Sequence, residues 1–216
     1  MSPIARATSR LPSIPKDFGV PFPVPSLAEL GVDPREKSGD DWTSIHLAAE
    51  DGLVAIVNLL VELGVDPQEK SKDGWTSLHL AAQGGHVAMV DRLVELGVDP
   101  QEKSKDGRTS LHQAALNGHV AMVNRLVELG VNPREKSKDG RTSLHGAAQG
   151  GHVTMVDRLV ELGVDPQEKS KNGWTSLHQV TQGGHVAMVD RLVELGVDPR
   201  EKSKDGWTSL QFAALN

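Results

Sequence analysis

The feature that most constrains this chain is a single stretch of 33 residues repeated along nearly its whole length. With the Leu-Gly-Val-Asp-Pro element as the marker, its glycines fall at Gly31, Gly64, Gly97, Gly130, Gly163 and Gly196, each 33 residues after the last. A period of that length marks stacked supersecondary units, none of which can bury its apolar face alone, rather than a globular enzyme. Such a chain works by offering an extended surface to a partner.

Residues 73–105 stand for every copy. Asp73-Gly74 is a turn pair, and Thr76 ahead of an apolar segment is placed to cap a helix. A first short helix is expected from Ser77 to about Gln83. At 100° per residue Leu78, Ala81 and Ala82 share one face, while Leu80 and Gln83 point away from it. The alanines permit close approach of neighbouring helices, and Gly84-Gly85 ends the helix and turns the chain. A second helix is expected from about His86 to Leu96, apolar on one half of its surface and polar at Asp91, Arg92 and Glu95. Gly97 and Val98 suit a left-handed C-cap with its apolar contact, and Asp99-Pro100 forbids continuation. The polar run from Gln101 to Asp106 then leads through a hairpin-like finger to the next cap. Both helices fall below the roughly 12–15 residues that an isolated helix needs in water, so stability must come from stacking.

Thr-Ser-Leu-His-Leu-Ala-Ala, Gly-His-Val and Leu-Gly-Val-Asp-Pro at this period resemble the ankyrin repeat over residues 26–216. The resemblance implies an all-α fold, an α-solenoid of helix-turn-helix pairs with β-hairpin-like finger loops. It also implies structural duties for both histidines, the first bonding around the Thr cap and across to the next repeat. The family usually has Pro after the capping Thr, where this chain has Ser44, Ser77, Ser110, Ser143, Ser176 and Ser209. Serine at that position gives up some preorganisation without changing the fold.

The chain divides into a Pro-rich leader, 1–25, expected to be extended and poorly ordered, and a half-repeat, 26–39. Full repeats follow at 40–72, 73–105, 106–138, 139–171 and 172–204, and a truncated sixth at 205–216. In the leader, Phe18, Val20, Phe22 and Val24 alternate, as a strip laid over the first repeat would. Ser26 with Glu29 fits a capping box for a helix from Leu27 to Leu30. The sixth repeat has its first helix without the second, which leaves an apolar face uncovered. That reads as a fragment of a longer repeat protein, a premature stop, or a surface for self-association. Repeat five carries Val180 and Thr181 in place of the two alanines and is expected to hold the least stable interior junction.

The 216 residues include no cysteine, which excludes disulfide and thiolate chemistry and fits an intracellular setting, cytoplasmic or nuclear. No apolar run reaches the length of a membrane span. A net charge of -6 argues against general nucleic-acid binding. The charge is graded: residues 40–72 carry seven acids against Lys70 and Lys72, whereas 106–138 carry Arg108, Arg125, Arg134, Lys136 and Lys138 against Asp106, Glu128 and Glu135. A charge gradient of this kind orients a partner on encounter.

Ser, His and Asp recur in every copy as caps and turns, whereas a catalytic constellation is unique and buried, so no catalysis is expected. Histidines on adjacent repeats stand about 8–10 Å apart, one helix packing distance. A zinc ligand needs about 2 Å, so no metal is expected. No phosphate-cradling glycine loop is present and no cofactor is expected.

The positions that vary between near-identical copies carry the functional signal. At the finger's end the series reads Trp42, Trp75, Arg108, Arg141, Trp174, Trp207, the two side chains most enriched in interface hot spots. On the first helix, expected to face outward, the series reads Leu47, Leu80, Gln113, Gly146, Gln179, Phe212, beside Glu50, Gln83, Leu116, Gln149, Gln182, Leu215. The resemblance places such positions in the concave groove that meets partners. The competing expectation is packing within the array, with cation-π contacts between Trp75 and Arg108 or between Arg141 and Trp174. The functional expectation is a non-catalytic adaptor or scaffold with a protein partner. The alternatives are a regulatory module that binds a nuclear factor and a structural spacer.

Overall fold

The protein is described here from a computed structural model, which describes residues 33–180 and 185–214. The chain separates into two units, Met1–Asp33 and Pro34–Asn216. Only Asp33 of the first unit is among the described residues, so the leader strip, the Ser26–Glu29 capping box and the Leu27–Leu30 helix lie outside them. Thr181, Gln182 and Leu215 do as well.

The second unit is all-α. Its first helices are α1 (Ser44–Glu50), α3 (Ser77–Gly84), α5 (Ser110–Leu116), α7 (Ser143–Gln149), α9 (Ser176–Val180) and α11 (Ser209–Ala213). They alternate with second helices α2 (Val54–Glu62), α4 (Val87–Glu95), α6 (Val120–Glu128), α8 (Val153–Glu161) and α10 (Val186–Glu194). Among the described residues the fingers form no strand, only isolated bridges between Lys70 and Thr76 and between Lys202 and Thr208.

The helix ends follow from local chemistry. Gly97 has φ +89°, and the N–H groups of Gly97 and Val98 donate to the carbonyls of Val94 and Leu93 at 2.9 and 3.0 Å. Val98 is buried beneath them, so α4 ends in a Schellman motif with its apolar contact. At the finger tip Gly74 has φ +76°, and a Cβ there would lie 3.0 Å from the Lys105 backbone nitrogen of the next finger. Glycine is therefore needed both for the left-handed turn and for the approach of the neighbour. Lys105 N–H donates to the Asp73 carbonyl at 2.8 Å, and the same bond joins every pair of successive fingers from Lys72–Asp40 to Lys204–Asn172.

One continuous core runs through the stack. In the second to fourth repeats it takes the first-helix leucine, the alanine pair behind it and the second-helix Met, Val and Leu, as in Leu78, Ala81, Ala82, Met89, Val90 and Leu93. Alanine on the first helices lets them pack against one another more closely than the second helices do. Each repeat is thus a wedge with its first helix at the narrow edge. Serine at the first helical position is more than a tolerated substitute. Ser44, Ser77, Ser110, Ser143 and Ser176 donate from Oγ to the carbonyls of Pro34, Pro67, Pro100, Pro133 and Pro166 at 3.0–3.4 Å, bonds that proline could not make. Leu210 is 68% exposed, whereas its counterpart Leu177 is 1% exposed.

Candidate functional site

Each finger is closed by reciprocal bonds at its base. The Ser71 N–H donates to the Trp75 carbonyl at 2.9 Å and the Trp75 N–H donates to Ser71 Oγ at 3.1 Å. This sets the finger-end side chain beside the N-terminus of the first helix. Trp42, Trp75, Arg108, Arg141 and Trp174 are half-buried there, and Trp207 is exposed. The tryptophan rings have inward neighbours. Trp42, Trp75 and Trp174 lie 5.3, 5.8 and 6.0 Å from the rings of His46, His79 and His178 in their own repeats. Each ring braces a cap on one side and is partly open on the other.

The first histidine of the first, second, fourth and fifth repeats performs both parts of the duty the resemblance implies, and His112 of the third makes only the bonds around its Thr cap. His79 Nδ1 accepts from the Thr76 N–H at 3.3 Å, with the Thr76 hydroxyl 2.8 Å away, and Nε2 meets the Arg108 carbonyl at 3.1 Å. Nδ1 accepts a backbone N–H, so the proton sits on Nε2 and that nitrogen donates. His46, His145 and His178 make the same link to Trp75, Trp174 and Trp207 at 3.1–3.2 Å. Burial pushes these rings below the ordinary imidazole pKa, to about 4 for His79 and His112. They are neutral structural donors at pH 7. The second histidine bonds backward: Nε2 of His86, His119 and His152 meets the carbonyls of Glu50, Gln83 and Leu116 at 2.9–3.1 Å, closing the end of the preceding first helix.

Of the first-helix positions expected to face outward, Leu47 is 48% exposed as expected, but three others need correction. Leu80, Gln113 and Gln179 are 3%, 3% and 1% exposed, so they do not line an open groove. The reason is visible at Phe212, whose ring lies 4.7 Å from Trp174 of the preceding repeat and 6.3 Å from Trp207 of its own. A side chain at this position is gripped between two successive finger ends. Helical periodicity places it off the Leu78–Ala81–Ala82 face, but the fingers supply a second wall that periodicity within one helix does not register. Gln83 and Leu116 are half-buried, and Glu50 and Gln149 are exposed.

The third and fourth repeats differ from the rest because both of their finger ends are arginine. Arg141 Nε lies 3.0 Å from Asp139 Oδ2. Burial works against ionisation of Asp139, yet the Ser137 hydroxyl and the Arg141 charge hold its carboxyl below the usual range. No ion pair of Arg108 is found among the described residues. These residues also hold no group of three or more His, Cys, Asp or Glu placed to bind a metal ion, and no helix among them is long and apolar enough to cross a membrane.

The family model for ankyrin repeats, described as three copies, matches residues 23–104, 96–170 and 161–216. The chain belongs to the ankyrin-repeat family, whose members are generally protein-protein interaction modules and typically non-catalytic. Comparison with curated proteins gives no match.

Proposed function

We propose that the chain is a non-catalytic adaptor or scaffold that engages a protein partner through the inner surface made by its finger ends and first helices. The observation that carries this reading is the row of Trp75, Arg108, Arg141 and Trp174. All four are held at the base of closed fingers and only half-buried, although the core beside them is sealed. Rigid, partly exposed Trp and Arg in a row are the anchors around which interface energy concentrates. Buried Leu80, Gln113 and Gln179 support the anchors from beneath, and Gln83, Leu116 and Gln149 form the rim.

The test is affinity capture with the native chain and with a variant carrying Trp75→Ala, Arg108→Ala, Arg141→Ala and Trp174→Ala, both checked for folding by circular dichroism. A protein retained by the first and lost by the second is the expected result. Equal retention would move the site off the fingers.

A further inference from the structure

Gly146 stands at the position held elsewhere by Leu47, Leu80, Gln113, Gln179 and Phe212. The side chain that would be gripped between two finger ends is missing there, and a notch of about 30 Å³ opens in its place, lined by Arg108, His112, Leu116, Arg141, His145 and Gln149 among others. Those two finger ends are the ones that carry arginine. The gap and the two cations thus coincide at a single junction of the array.

The chemistry of the lining narrows what fits. Arg108 brings a guanidinium with no ion pair among the described residues, and Arg141 meets Asp139 through Nε at 3.0 Å. His112 contributes a buried nitrogen: its Nε2 approaches the Arg141 carbonyl without closing a hydrogen bond. That carbonyl accepts instead from Ser137 Oγ at 3.0 Å. Two guanidinium groups with one carboxylate, Asp139, between them leave a net positive gap that matches a carboxylate, for which arginine is the preferred partner. The notch also lies where the third repeat, 106–138, carries five basic residues against three acids, within a chain whose net charge is -6.

We propose that the Gly146 notch receives a carboxylate side chain from an acidic segment of the protein partner, with Arg108 and Arg141 as its charge partners. This rests on the inner-surface reading above and assigns it one pocket and one partner chemistry. The acidic first repeat, residues 40–72, repels such a segment, so the charge gradient directs it toward the third repeat and its Arg108 finger end.

The test titrates a fluorescently labelled hexaglutamate peptide into the full chain and follows anisotropy at low ionic strength, beside Gly146→Ala, Gly146→Gln and Arg108→Gln variants. The nearest atoms a Cβ at Gly146 would meet belong to Leu116, at 3.4 Å and beyond, which is ordinary contact, so alanine fits. Glutamine fills it as Gln113 and Gln179 fill theirs. The expected result is binding by the native chain and by Gly146→Ala, weakened about tenfold or more in Gly146→Gln and Arg108→Gln with their circular dichroism unchanged. Failure of the native chain to bind, or equal binding by Gly146→Gln, would overturn the proposal. So would competition-free binding of inorganic phosphate with no response to the peptide. If the four-residue variant loses the captured partner while Gly146→Gln keeps it, the inner surface stands and the notch falls. If both variants keep it, the inner-surface reading falls as well.

Discussion

His79 Nε2 donates to the backbone carbonyl of Arg108 at 3.1 Å, 29 residues further on, and so joins the cap of one repeat to the finger of the next. The same ring serves Thr76 through Nδ1. One imidazole therefore fixes both the start of a helix and the spacing of its neighbour, and it does so only while neutral.

Acid should loosen the stack through these rings. In the unfolded chain an imidazole takes up its proton near pH 6.5, whereas His79 and His112 do so only at about 4 because burial penalises their charged form. The unfolded state therefore binds more protons between these values. The contribution is complete above pH 6.5, falls as pH is lowered, and is lost by about pH 4. Each ring is worth roughly 3 kcal/mol across that window. Urea denaturation at a series of pH values should show the fall. A His79→Gln variant should show a shallower one, since Gln211 fills the same capping role in the last repeat, donating its N–H to Thr208 Oγ1 and accepting the Thr208 N–H. An unchanged slope in the variant would contradict the assignment.

Gln113→Leu should stabilise the protein. Gln113 Nε2 is buried without a hydrogen-bond partner among the described residues, and Leu80 occupies the equivalent place one repeat earlier. Removing an unsatisfied buried amide should gain roughly 1–3 kcal/mol. Denaturation midpoints measure the gain, and a loss of stability would mean that the amide has a partner after all. Partner capture should be unaffected, because this side chain does not reach the surface.

These residues also show what was legible in the sequence. The period, the Thr caps, the Gly97 C-cap and the apolar stripes are local patterns, and each led to the element observed. The helix boundaries differ by a residue, since His86 and Leu96 cap α4 rather than belong to it. The finger ends were legible because the tryptophans and arginines vary while their surroundings repeat. The burial of Leu80, Gln113 and Gln179 was not, because it depends on two fingers closing over one helix, a contact that spans repeats. For the same reason Gly146 reads in sequence as one more variant and becomes a notch only when the flanking fingers are placed. The serine-to-proline-carbonyl bonds join residues 10 apart across a bend and leave no periodic trace.

The fifth repeat should open first among the interior repeats. Val180 is fully buried at the place of Ala81, Ala114 and Ala147, where first helices meet most closely. Overpacking of that kind costs about 1–3 kcal/mol. Native-state hydrogen exchange should find residues 176–180 less protected than 110–116, and Val180→Ala with Thr181→Ala should raise that protection. Equal protection in the native chain would contradict the expectation.

Gly85→Ala should weaken the junction between the second and third repeats. Gly85 has φ +74°, and a Cβ there would lie 2.7 Å from His119 Nδ1. The left-handed conformation alone costs about 1–2 kcal/mol for alanine. Displacing His119 also threatens its bond to the Gln83 carbonyl, 2.9 Å long. Chemical denaturation should show a loss above the backbone cost. A loss of only a few tenths would mean that the ring moves aside freely.

The most direct test of the inner surface as the binding face is hydrogen exchange on the chain bound to its captured partner, compared with the chain alone. Protection gained at the finger ends around Trp75, Arg108, Arg141 and Trp174, with little change along the outer faces of α4, α6 and α8, is the expected pattern. Protection confined to those second helices, with the fingers exchanging as in the free chain, would contradict it.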